Sequence, residues 1–399
     1  MKRRLLIVSH ALELGGVERS LIGLLGALDP SDWDVDLFLL RHQGELMEMI
    51  PSYVNLLPQV GAYSVLARPM AQTLKEGHVL LTAARLAGKL LAKRYIRKHG
   101  HTDSLVPLDY SHKFTCPLMP AICPDTEYDL AISFLTPHYI VAEKVRARRK
   151  IAWIHTDYTR VQVNQASECA MWDRYDGIAA ISEAAMDGFV QTFPTLREKV
   201  FVMENILPAA LIRQQAEAFD PSGEIPADGS VRLLSVGRYC TAKNFDNVPD
   251  ICTRLRKTGL DVKWYIIGFG ADEALIRRRI AEAGMQEYVI LLGKKDNPYP
   301  YIAACDLYVQ PSRYEGKCVT VREAQLLGKP VVITRYATSS SQLEDGVDGL
   351  VVSMDNEGCA AGIATLLRDP ERMRCLRENC RRADYSNAEE VKILYDMME

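Results

Sequence analysis

Pro311-Ser-Arg-Tyr-Glu-Gly-Lys-Cys-Val-Thr-Val-Arg-Glu-Ala-Gln-Leu-Leu-Gly-Lys-Pro-Val-Val-Ile-Thr334 follows an alternating apolar run from Asp306 to Gln310. The run breaks at Pro311, so a strand stops there and a loop begins. Helical periodicity takes over near Val319, with Val319, Ala324 and Leu327 suited to an inner face. Gly328 and Pro330 close the helix, because glycine tolerates a left-handed cap and proline cannot continue the turn. Val331 to Ile333 is a short β-branched run of the kind buried on both faces of a parallel sheet. Strand, loop, helix and strand in this order make an α/β unit.

Two carboxylates stand in it, Glu315 in the loop and Glu323 in the first helical turn, with seven residues between them. Free amides at a helix start attract anions, which makes Val319 and Thr320 candidates for holding a phosphate. An ionised carboxylate only accepts hydrogen bonds and can take up sugar hydroxyls in pairs. Phosphate on amides and hydroxyls on carboxylates together describe a nucleotide-sugar site. The stretch alone also fits a plainer account, with Glu323 favouring the helix dipole and Glu315 as a solvated loop charge.

Working outward, 399 residues suggest two domains. A hydrophobic content of 48% with 25% charged residues supplies two ordinary cores. A net charge of −3 argues against nucleic acid as the main partner. The ten cysteines contain no C-x-x-C pair, so no zinc or redox site is expected and a reducing cytosol is the expected setting. Met1-Lys-Arg-Arg before Leu5 to Val8 reads as the lead into a first strand and not as a signal peptide. No run of 18 apolar residues offers a membrane span.

Leu5 to Ser9 is a buried strand, and the segment from His10 leads into a helix through Leu28. Gly15 and Gly16 between them allow close approach of backbone to a ligand, or form a plain turn; the G-x-G-x-x-G fingerprint is absent. Asp34 and Asp36 make a D-x-D on the second strand, read as polar edge residues. Residues 68–101 are helical by period, with Arg85, Lys89, Lys93 and Arg97 recurring every four residues and Leu86, Leu90 and Leu91 toward another face. Such a helix suits an anionic membrane surface or a solvated face. Residues 102–127 lack periodicity and are expected to form a loop with a hairpin. His155 ends the strand Ile151 to His155, at the edge where ligands gather in open α/β sheets; a structural histidine is the plainer reading. Residues 214–230 have linker composition, and strands and helices alternate again from Val231. Two doubly wound, mostly parallel sheets are expected, with tail helices at 370–381 and 387–398.

Arg238 and Lys243 follow the first strand of the second half, at the same carboxyl edge as Glu315 and Glu323. Two cations and two carboxylates there would hold a diphosphate and its sugars, although a structural salt-bridge cluster would use the same residues. With Gly15-Gly16-Val-Glu-Arg, Gly237-Arg238, Lys243-Asn244, Gly268-x-Gly270 and Glu315-x7-Glu323-Ala324, the chain resembles family 4 retaining glycosyltransferases. Trp153-Ile-His155 and the Ser339 to Gly349 region look like bacterial members that build capsule or exopolysaccharide. The resemblance implies a GT-B fold, two Rossmann-like domains facing a cleft. The expected bounds are 1–207 for acceptor, 208–384 for nucleotide sugar, and a C-terminal helix at 385–399 packing back on the first domain. It implies that Arg238 and Lys243 bind the diphosphate, Glu323 the ribose and Glu315 the donor sugar. It also implies that His155 lies beside that sugar, that Gly16 and Gly268 let loops approach the donor, and that Val319 and Thr320 complete the phosphate cradle.

The expected activity is metal-independent, cofactor-free and retaining transfer from a nucleoside-diphosphate sugar, UDP-sugar favoured. The acceptor is expected to be a glycan or a polyprenyl-diphosphate-linked hydroxyl in surface polysaccharide synthesis. The expected location is cytoplasmic, with peripheral contact to the inner membrane face through residues 85–98. A nucleotide-sugar epimerase and a silent nucleotide-sugar-binding partner are the alternatives. The chain departs from the family in two places. Cys318 stands where many members have glycine, and Ile206-Leu207-Pro208 replaces the usual Gly-Val-Asp after Asn205.

Overall fold

A computed structural model of the chain describes residues 2–13, 15–159, 161–315 and 317–398. It divides into two compact units, Met1–Ile206 with Asn387–Glu399, and Leu207–Ser386.

The N-terminal unit is built on β1 (Arg3–Ser9), β2 (Trp33–Leu39), β3 (Asn55–Leu56), β4 (Tyr128–Ser133), β5 (Ala147–Ile154), β6 (Gly177–Ala180) and β7 (Val200–Val202). All are parallel, in the order β3-β2-β1-β4-β5-β6-β7. Leu5 to Val8 are buried, as expected of a strand covered on both faces. The strand order reverses between β1 and β4, which is the switch point where doubly wound sheets bind ligands. The last residues of the chain pack on this unit. Tyr395 meets Trp33 edge-on with ring centroids 5.5 Å apart. The Glu204 amide donates to Glu390 at 2.9 Å.

Several local expectations are corrected here. Residues 68–101 form two helices, Met70–Lys75 and Val79–His99, separated at Gly77, which has φ +87°. The longer helix packs through Leu81, Gly88 and Ala92, and a Cβ at Gly88 would stand 2.7 Å from the Tyr110 carbonyl oxygen. Leu86, Leu90 and Leu91 face outward and stay exposed. Arg85 is not a surface cation, because its guanidinium donates to the Val65 and Arg68 carbonyls. Residues 102–127 hold a helix, Val106–Thr115, in place of the expected hairpin. Its buried stripe includes Asp109, Ser111, His112 and Thr115, so apolar periodicity could not reveal it. Asp36 is no edge residue; it accepts from Tyr128 and Asn55, both at 2.6 Å.

The C-terminal unit is built on β8 (Val231–Val236), β9 (Val262–Ile267), β10 (Val289–Gly293), β11 (Leu307–Gln310), β12 (Val331–Thr334) and β13 (Leu350–Val352), parallel in the order β10-β9-β8-β11-β12-β13. The reversal again falls between the first strand and its fourth-made neighbour, β8 beside β11. The linker-like segment is part of this unit. Ala209–Ala216 is helical, and Ile225 is fully buried, so Pro and Gly there mark a packed loop. Gly268 and Gly270 bring the loop after β9 against the loop after β8. A Cβ on Gly268 would stand 1.9 Å from the Gly237 carbonyl oxygen, and one on Gly270 2.4 Å from that of Tyr239. Tyr239 N donates to Phe269 O at 2.8 Å.

Three buried histidines gather at the carboxyl edge of the N-terminal sheet. Burial pulls His112 and His138 down to about 3, with neighbouring positive charge adding to the effect. Burial likewise pulls His155 down to about 4. Glu168 goes the other way, pushed up to about 7 by burial and by Asp109.

Two predictions follow from this packing. Gly268→Ala should destabilise the C-terminal unit by about 3 kcal/mol, the scale of a backbone clash that cannot relax; denaturant unfolding that moves by under 0.5 kcal/mol would contradict it. Between pH 6.5 and 5 the unfolded chain protonates histidines that the folded chain keeps neutral, so stability falls as pH falls. Glu168 and Asp109, both raised by burial, take up protons in the folded chain at higher pH than in the unfolded one and so offset part of this loss. Hydrogen exchange in β4 and β5, corrected for intrinsic rates, should show the loss, and His112→Gln should reduce its slope.

Candidate functional site

β8 and β11 are paired at Leu307↔Leu233 and Tyr308↔Leu234, so the loops leaving their carboxyl ends emerge side by side. Asn244 has φ +60°, a left-handed turn that asparagine tolerates, and its side chain donates to the Pro311 carbonyl at 2.9 Å. Arg313 grips Asp246 through both terminal nitrogens at 2.8 Å and donates to Thr241 O at 2.7 Å. These bonds clamp one loop to the other.

Within the clamp, Lys243 Nζ lies 2.7 Å from Glu315 Oε1, with only 17% and 11% of the two side chains exposed. The Cys318 sulfur is 3.6 Å from the same ammonium. Glu315 also accepts from the Ser312 hydroxyl, and Thr338 Oγ1 donates to its carbonyl at 2.8 Å. Behind Ser312 the network continues to Gln310 at 3.0 Å and from Gln310 to Tyr308 at 2.9 Å. Tyr308 also lies 2.8 Å from Thr320 Oγ1. Burial works against the charge on Lys243, but Cys318 and Glu315 outweigh it and its pKa is raised. Burial and Glu315 together raise the Cys318 thiol, against the pull of Lys243. The site therefore holds an ammonium, a carboxylate and a neutral thiol.

The other expected residues are placed unevenly. Arg238 is exposed and, among the described residues, makes no hydrogen bond or ion pair. Val319 and Thr320 open the helix Val319–Leu326, whose start no side chain caps. The Cys318 amide is taken by Gln342 Oε1 at 2.7 Å. Glu323 is fully buried and accepts from the Tyr299 hydroxyl at 2.8 Å, so it faces the core. Both glutamates thus have protein partners where the sequence suggested sugar hydroxyls.

In the N-terminal unit, Gly16 begins the helix Gly16–Ala27, and Gly15 before it is extended. A Cβ on Gly15 would meet the Glu18 carboxylate at 2.0 Å, which puts negative charge beside the glycine pair. His155 sits just beyond β5, flanked by Phe134 and Trp153, and both its ring nitrogens are buried. Sequence reasoning missed a second group in this unit, a pocket whose lining includes Asp109, His112, His138, Glu168 and Trp172. The i, i+3 spacing of Asp109 and His112 was the available signal, hidden in a segment read as loop. It also missed Ser312, Gln310 and Tyr308, which carry the network behind Glu315.

Among the described residues no cluster of three or more His, Cys, Asp or Glu is arranged to hold a metal ion. No helix among them is long and apolar enough to cross a membrane.

Residues 219–383 match the family model of glycosyl transferases group 1. A Campylobacter jejuni N-acetylgalactosamine-N,N'-diacetylbacillosaminyl-diphospho-undecaprenol 4-alpha-N-acetylgalactosaminyltransferase is 28% identical over 239 residues, covering 59% of this chain and 63% of that protein. The lipopolysaccharide core biosynthesis glycosyltransferase LpsE of Rhizobium meliloti is 29% identical over 147 residues, 37% of this chain and 42% of that protein. The matches thus span less than two thirds of these relatives' length. In structure, HepE of Anabaena, solved with UDP and glucose, superposes with a TM-score of 0.68 at 16% identity over 99% of both chains. A glycosyltransferase from Rickettsia africae gives 0.65 at 14% identity, over 100% of this chain and 98% of that one. The fold is GT-B, two parallel-sheet α/β domains, and residues 219–383 are similar to the glycosyl transferases group 1 family.

Proposed function

We propose that the chain transfers a sugar from a nucleoside diphosphate to a hydroxyl of a glycan or lipid-linked acceptor. The buried Lys243–Glu315 pair beside an uncapped helix start, within the group 1 domain, carries this reading. An arriving diphosphate competes with Glu315 for the Lys243 ammonium and meets the amides of Val319 and Thr320. Arg238, exposed and uncommitted among the described residues, supplies a second cation. Displaced from Lys243, Glu315 becomes an acceptor for donor-sugar hydroxyls. Glu323 takes the ribose hydroxyls by sharing or exchanging its bond from Tyr299.

In the reaction, the bond from the anomeric carbon to the phosphate oxygen breaks, and a bond to the acceptor oxygen forms on the same face. The leaving phosphate takes the acceptor proton. Preorganised positive charge at the leaving group is the largest aid such a site can give, and in this reading it comes from Lys243, Arg238 and amides without a metal. The UDP and glucose bound in HepE favour a UDP-sugar. The diphospho-undecaprenol acceptor in the Campylobacter enzyme's name favours a lipid-linked acceptor in surface polysaccharide synthesis, met at the inner face of the cell membrane.

The surface of the Val79–His99 helix supports that partner. It carries Lys89, Lys93, Arg94, Arg97 and Lys98, no acidic residue, and the outward leucines Leu80, Leu86, Leu90 and Leu91. Cations with exposed leucines suit an anionic lipid surface, where each basic residue contributes about 1 kcal/mol.

Nucleotide release from a panel of nucleotide sugars, with and without a polyprenyl-diphosphate-sugar extract, tests the reaction. Release should depend on acceptor, survive EDTA, and fall roughly 100-fold or more in Lys243→Ala, with a clear loss in Glu323→Ala. Donor turnover without acceptor would point to an epimerase. Tight donor binding without any release would point to a silent partner. In flotation assays the chain should bind vesicles containing phosphatidylglycerol, and not pure phosphatidylcholine, at low salt. Lys93→Glu with Arg97→Glu should abolish this binding. Equal recovery with both lipids would remove the membrane contact.

A further inference from the structure

β12 pairs with β11 on the side away from β8, in the register Tyr308↔Val331, Val309↔Val332 and Gln310↔Ile333. The segment leaving its carboxyl end reaches back to the stretch that carries Glu315 and Cys318. Thr334 Oγ1 donates to the Ser312 carbonyl, and Thr338 Oγ1 to the Glu315 carbonyl at 2.8 Å. Gln342 ends the short helix Ser339–Gln342 and completes the hold. Its Oε1 accepts from the Cys318 amide at 2.7 Å, and its Nε2 donates to the Cys318 carbonyl at 3.3 Å. One side chain thus takes both polar backbone groups of one residue, as a neighbouring strand would.

Gln342 is only 1% exposed, and this decides between two roles. As a plug, it would leave Cys318 when an anion arrived, and its own amide would then be buried with nothing to bond. Stranding a buried donor and acceptor costs more than one hydrogen bond returns. As a brace it stays, and the Cys318 amide is withheld from the ligand. Of the amides that follow, Val321 N already donates to Cys318 O at 3.2 Å. Those of Val319 and Thr320 have no partner among the described residues. An anion at this helix start is therefore held to two amides and a single register.

The brace also fixes where the Cys318 side chain lies. Its sulfur is 3.2 Å from Thr320 Oγ1 and 3.6 Å from Lys243 Nζ. Gln342 is thus joined through one residue to both groups that meet a leaving phosphate, the helix start and the ammonium.

We propose that Gln342 is a positioning residue for the transfer: it braces Cys318 so that the Val319 and Thr320 amides and the Lys243 ammonium meet the diphosphate in one register. This role rests on the transferase reading and adds a residue that touches no substrate.

The test combines nucleotide release at saturating donor and acceptor, UDP titration, and amide NMR spectra of the full chain carrying isotope-labelled cysteine, valine and threonine. In wild type, UDP should shift the Val319 and Thr320 amides well beyond that of Cys318. In Gln342→Ala, kcat should fall about tenfold or more, while KM for the donor and UDP affinity stay within about threefold. A purely structural role would lower the melting temperature and leave kcat of the folded protein unchanged. Gln342→Glu keeps the acceptor for the Cys318 amide but loses the donor. Its kcat relative to wild type should recover as pH falls, because the protonated carboxyl group again donates to the Cys318 carbonyl. This variant carries the test if Gln342→Ala does not melt cooperatively. A kcat within about threefold of wild type in the folded variants, or UDP binding tightened by more than about threefold in Gln342→Ala, would overturn the role. So would a wild-type Cys318 amide that UDP shifts as far as those of Val319 and Thr320, or no shift at these two. Absence of release by wild type from every donor, with the amide pattern as expected, would count against the transferase reading and leave the register standing.

Discussion

The adjacency of β8 and β11 is the constraint on which the C-terminal site depends. Because these strands are parallel neighbours formed far apart in sequence, their outgoing loops must lie together, and Lys243 meets Glu315 across 72 positions of chain. A pair this buried gives little net stability, since desolvation offsets most of the attraction. Removing one partner alone is costly, about 3–5 kcal/mol, because it strands the other charge. The arrangement therefore holds two charges ready that neither loop could keep buried by itself. The Arg313–Asp246 fork and the Asn244 bond to Pro311 fix the loops, which leaves the Lys243–Glu315 pair free for exchange with a ligand.

The two units treat buried polarity differently. In the C-terminal unit the polar chain from Tyr308 through Gln310 and Ser312 to Glu315 spends its donors on acceptors within the protein. In the N-terminal unit burial keeps His112, His138 and His155 neutral. A satisfied network gives a rigid site for a ligand of fixed charge.

Much of this was legible in sequence where local signals and tertiary demands agree. The apolar run Leu5 to Val8 and the β-branched run Val331 to Ile333 become interior parallel strands, and the stretch from Leu307 to Thr334 folds as strand, loop, helix and strand. Lys243 and Glu315 could be assigned to one edge because strand ends dictate it. That they bind each other could not be read, since spacing does not report pairing across a switch point. The partner of Glu323 could not be read for a similar reason, because Tyr299 lies on another helix. The Val106–Thr115 helix was invisible to periodicity because its inner stripe is polar, and Arg85 looked like a surface cation because its carbonyl partners lie 17 and 20 positions earlier.

The return of residues 387–399 to the first unit makes the second unit an insertion within the first. Its ends are tied, with Leu207 N donating to Ser386 O at 2.7 Å. Once the inserted unit is folded, the residues on either side of it are held as neighbours, and the entropy of closing a 180-residue loop has already been met. During synthesis the order is strict: Trp33 emerges early, while Tyr395, which covers its edge, arrives only after the whole inserted unit has been made. Completion of the N-terminal core thus reports that the inserted unit has been translated and has brought its own ends together.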